Sequence, residues 1–98
     1  MTSEQIILVS EFCLHYHADT DFVRSLHEYG LIPLVERDAD YYVPAEELSQ
    51  LEKLTRMHYE MDINLEGIET IVHLLQRVDA MQEEMRRLRN RLRRYEDL

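Results

Sequence analysis

The residues with the clearest chemical potential lie in CLHYH, Cys13 to His17. One thiol and two imidazoles are donor types that zinc accepts. In a helix, however, only side chains three or four residues apart share a face. Cys13 and His17 then agree while His15 points elsewhere, and no second Cys or His pair stands at metal-ligand spacing. The expectation is a small buried cysteine flanked by surface histidines, with no metal and no cofactor. His58 and His73 stand singly and read as core or boundary residues. The chain has no phosphate-cradling glycine loop and no nucleophile elbow. Paired carboxylates are frequent only because the surface is acidic. The sequence therefore predicts a protein that is not an enzyme.

The remaining chemistry is charge. Eleven Lys and Arg stand against twenty Asp and Glu, a net charge of −9. Residues 1–40 carry two basic and eight acidic side chains, or −6, and residues 41–85 carry three and ten, or −7. Residues 86–98 reverse the sign with six against two, or +4. An acidic body repels phosphate backbones and attracts basic protein surfaces, most strongly at low salt. The basic tail RRLRNRLRR (86–94) could touch nucleic acid, but its arginines flank an apolar seam. They read better as solvated coiled-coil flanks, or as groups docking onto the acidic body of a partner subunit. Cys13 has no partner for an internal disulfide. The apolar run IILV is too short for a signal peptide, and no later run approaches a membrane span. A soluble, cytoplasmic protein is expected.

These groups must be positioned by a few regular elements, because two glycines and two prolines in 98 residues leave room for long helices. Ile6 to Val9 reads as a short buried strand, and Ser10 as the cap of a first helix carrying Phe12 and Tyr16 on one face. Asp19-Thr20-Asp21 is a second capping cluster. Phe22, Leu26 and Tyr29 then trace a helical stripe that Gly30 ends. Two short helices so joined form a helix-turn-helix. Leu31–Glu36 and Tyr41–Val43 read as a small hairpin wing. Pro44 opens a third helix, with Leu48, Leu51 and Leu54 or Thr55 inward, running to about Met61.

Asn64 caps a long fourth helix. Its apolar positions Ile71, Leu74, Val78, Met81, Met85, Leu88, Leu92 and Tyr95 recur at spacings of 3, 4, 3, 4, 3, 4, 3, an unbroken heptad seam. Such a helix outruns a body of this size. Dimerisation through Val78, Met81, Met85, Leu88, Leu92 and Tyr95 is therefore expected, and both parallel and antiparallel pairings offer favourable charge pairs. The division expected is a winged body at 1–62 and the long helix at 63–98.

At this level the residues resemble a known family. LHEYGLI (26–32) is similar to the segment following the recognition helix of MerR-type regulators. YYVPAEELSQLEKLTRMHYEMDINLEGIETIVHLL (41–75) is similar to their wing, third helix and coiled-coil entry. Within that superfamily SEFCLH (10–15), EYGLI (28–32) and the acidic body look most like the CbpM-type chaperone modulators. DNA-reading members put a basic residue early in the recognition helix, where this chain has Asp21. They also carry a Tyr-Arg wing motif, where this chain has Tyr41-Tyr42. Arg24 does match a basic position.

The resemblance implies a mainly α, winged helix-turn-helix fold with a hairpin wing and a coiled-coil helix. It also implies inhibition of a CbpA-type, DnaJ-like co-chaperone through its J-domain, against that partner's work with DnaK and its DNA binding. J-domains present a basic helix, so an acidic surface of Asp19, Asp21, Glu28, Glu36, Asp38 and Asp40 is expected to meet it, the face of the third and fourth helices being the rival location, with direct DNA binding not expected. The alternative is a MerR-like DNA-binding transcriptional regulator.

Overall fold

The structure, a computed structural model, describes residues 5–97. Its order is β1 (Ile6–Leu8), α1 (Val9–Tyr16), α2 (Thr20–Glu28), β2 (Val35–Arg37), β3 (Asp40–Pro44), a 3-10 turn (Ala45–Glu47), α3 (Leu48–Tyr59) and α4 (Leu65–Glu96). The first short strand is a partner in the wing. β3 sits between β1 and β2 in one antiparallel sheet, with Ile7 opposite Val43 and Val35 opposite Tyr42. The wing thus has three strands where local pattern suggested two, because β1 and β3 meet only once the chain has folded back.

The helix ends follow local chemistry. Gly30 takes φ 75°, and the N–H of Leu31 closes onto the carbonyl of Leu26, as the sequence predicts. His17 does the same for α1 at φ 55°, with the N–H of Ala18 on the carbonyl of Cys13. Asn64 caps α4 by accepting from the N–H of Gly67 at 2.8 Å. Three expectations shift. Ser10 lies inside α1, which starts straight from the strand with Leu8 at its cap. Pro44 closes β3 instead of opening α3. Leu31–Leu34 are not strand, since Pro33 has no N–H to give a ladder.

One core holds the body together. Phe12, Val23, Leu26, Ile32, Val43, Leu51 and Leu54 are buried with Ile68 and Val72 of α4. Ile68 and Val72 correct the phase of the long helix. Its first turns use a stripe beside the heptad seam to cover α3, and Thr55 joins that contact with its hydroxyl donated to the carbonyl of Leu51. Beyond Val72 none of the described residues of the helix is buried. Thirty-two residues at 1.5 Å each reach about 48 Å, which gives the molecule its longest dimension of 61 Å.

Candidate interaction surfaces

The helix-turn-helix is fastened to the rest of the body by three tyrosines. Tyr16 donates to Glu52 on α3 at 2.7 Å, and Tyr29 donates to Glu66 on α4 at 3.1 Å. Tyr59 at the end of α3 accepts the backbone N–H of Asp19, the cap of α2, at 2.9 Å. Its neighbour His58 stacks on Phe22 with centroids 4.5 Å apart, and its Nδ1 bonds the carbonyl of Ile63 at 2.9 Å. Glu52 and Glu66 favour the protonated phenols, so both Tyr16 and Tyr29 hold their protons above the ordinary tyrosine range.

The side chains of CLHYH stand in different surroundings. Cys13 is buried, His15 lies edge-on to Tyr16, and His17 is the exposed left-handed stop of α1. Burial pushes the Cys13 thiol up, and the charge of Asp19 adds to the effect. Among the described residues no group of three His, Cys, Asp or Glu could hold a metal ion.

The six carboxylates named from the sequence are all exposed, but they fall in separate places. Asp19 and Asp21 stand at the start of α2 and Glu28 at its end, about 13 Å away along a nine-residue helix. Glu36, Asp38 and Asp40 belong to the wing, where Asp38 and Ala39 form the two-residue turn closed by Arg37 opposite Asp40. Two acids escaped the sequence reading. Glu66 and Glu69 of α4 act on the Tyr29 phenol together with Glu28, so helix and hinge share one negative region. The acidic run from Glu60 through Asp62 to Glu69 was the available signal. Arg24, the one arginine of α2, lies 3.7 Å from Asp21.

A second surface runs along α4. Val78, Met81, Met85, Leu88, Leu92 and Tyr95 are 45–75% exposed and stand on one face. Arg86 pairs with Glu83, and Arg87 lies 3.6 Å from Glu84. No helix of the described residues is long and apolar enough to cross a membrane.

Two short helices, a sheet-borne hairpin and a third helix define the winged helix-turn-helix class. The particular lineage follows from comparison. Residues 7–90 match the family described as MerR HTH family regulatory protein, and the chain belongs to that family. No curated protein matches it.

Proposed function

We propose that this regulator acts by binding protein, as an inhibitor of a CbpA-like J-domain co-chaperone, and that it does so without catalysis. The observation that carries the reading is the charge of the recognition helix. α2 presents exposed Asp19, Asp21 and Glu28, and its single arginine is already beside Asp21. A DNA reader needs several phosphate contacts from this helix, and losing them costs orders of magnitude in affinity. An acidic helix and wing suit instead the basic helix that a J-domain offers to DnaK. Occupying that helix excludes DnaK and screens the partner's own DNA-binding activity. Charge complementarity of this kind speeds association and makes it salt-sensitive.

The test is a pull-down with the J-domain protein of the same cell. Binding at about 50 mM salt that fades above 200 mM is the expected result, given a Debye length near 10 Å at 0.1 M. Absence of binding at low salt sinks the proposal. The family itself favours a second reading, a DNA-binding transcriptional regulator using Arg24. Nanomolar binding in a gel-shift assay would promote it.

A further inference from the structure

The arginine-rich end of α4 is built around one amide. Arg86 and Arg87 stand one turn before Asn90, and Arg93 and Arg94 one turn after it, so all four of its neighbours on the helix surface are arginines. At about 100° per residue Asn90 lies opposite the middle of the Met85, Leu88, Leu92 and Tyr95 stripe, with those four arginines within about 60° of it. Of the six arginines from 86 to 94, Arg89 and Arg91 alone flank the stripe. Every one of these side chains is exposed. Arg86 pairs with Glu83, and Arg87 lies 3.6 Å from Glu84, surface contacts that contribute little. The side chains of Asn90, Arg93 and Arg94 have no partner among the described residues.

We propose that this face binds single-stranded RNA, with Asn90 reading an unpaired base and the four arginines holding the phosphates on either side of it. A side-chain amide offers a donor and an acceptor side by side, the pattern that meets adenine in two hydrogen bonds. A guanidinium forks onto phosphate oxygens in pairs and lies flat on an unpaired base, which an ammonium group does not. All six basic residues of this stretch are arginine and none is lysine.

The limits of the face select the kind of nucleic acid. Glu83 and Asp97 lie seven residues before and after Asn90, on the same side of the helix. They close the basic window to about 12 Å between Arg86 and Arg94. A stiff duplex laid into that face meets acid at both ends, whereas a flexible strand bends away. Unpaired loops that present their bases in this way are ordinarily RNA. The rest of the chain, whose two segments to residue 85 carry −6 and −7, repels phosphate. The window begins about 21 Å along the helix from Val72, its last buried residue, or about two Debye lengths at 0.1 M salt. The acidic body therefore leaves this end accessible to a polyanion. An anionic membrane fits less well, because it would take up the apolar stripe and leave these four arginines turned to water. The site uses no residue of the J-domain reading and survives its failure.

Fluorescence anisotropy on the full chain tests it, with circular dichroism confirming that each variant folds. The probes are a hairpin RNA with an all-adenine loop, the same hairpin with an all-uracil loop, and a duplex DNA of matching length. At about 50 mM salt the native chain binds the adenine loop about tenfold tighter than the uracil loop. Asn90→Ala keeps the binding and loses that preference. The combined variant Arg86→Gln/Arg87→Gln/Arg93→Gln/Arg94→Gln flattens the slope of log affinity against log salt by about 3, at about 0.7 per single-strand phosphate contact. Lys53→Gln, which removes a positive charge from the body, changes neither. No RNA binding at low salt, duplex DNA bound as tightly as the adenine loop, or a preference that survives Asn90→Ala overturns the proposal. Binding lost in Arg24→Gln, or capture of the chain by phosphatidylglycerol vesicles in place of RNA, overturns it as well.

Discussion

Ala39 is the residue most at odds with its own backbone. It sits at φ 66° beside Asp38 at φ 53°, the paired left-handed conformations of a type I′ hairpin turn. Aspartate tolerates that region, whereas alanine pays roughly 1 kcal/mol or more for the clash of its Cβ. Ala39→Gly should therefore stabilise the protein by about 1 kcal/mol in urea unfolding, with the hairpin unchanged. Tyr29 makes a pH-dependent statement. Its hydrogen bond to Glu66 and the negative charge there raise its folded pKa above the unfolded value of 10.0. Folding thus favours the protonated phenol, so its contribution is present below pH 10 and is lost as pH rises through the higher folded value. Tyr29→Phe should melt lower than the native protein at pH 8, and the two curves should converge in strong alkali.

The step between α3 and α4 shows how elements were, and were not, legible. Asn64 as a cap and Gly30 as a stop could be read because each meets a backbone need within a few residues. Leu51, Leu54 and Thr55 followed from helical period for the same reason. The third wing strand could not be read, since Ile7 finds Val43 only through tertiary folding. Nor could the division of α4 between two stripes, because Ile68 and Val72 lie alongside the seam in one broad apolar run. The acidic surface was legible as composition, whereas its separation onto α2, hinge and wing was not. Gly67 supplies a test of the step itself. A Cβ there would stand 2.8 Å from Cγ2 of Ile63 and 3.0 Å from the capping oxygen of Asn64. Gly to Ala inside a helix ordinarily gains about 1 kcal/mol. Gly67→Ala should instead lower the melting temperature, because a β-branched neighbour and the cap must both give way.

At the scale of the whole molecule, the body and the free length of α4 live under different rules. The body has a buried core, whereas the arginine-rich end has none among the described residues. A helix end without tertiary packing frays on its own. Six arginines in that end are six sites for trypsin. Pairing with a second copy would hold the helix closed and slow cleavage. Limited trypsinolysis should therefore remove the segment beyond Arg86 quickly in dilute solution and slowly in concentrated solution, with the body intact in both. Fragment masses read against protein concentration give the measurement, and a rate independent of concentration would contradict it. Under such pairing the exposed end of one helix would make survival of the tail depend on abundance. A cell that produces too few copies to pair would lose the tail first and be left with bare bodies that can no longer assemble.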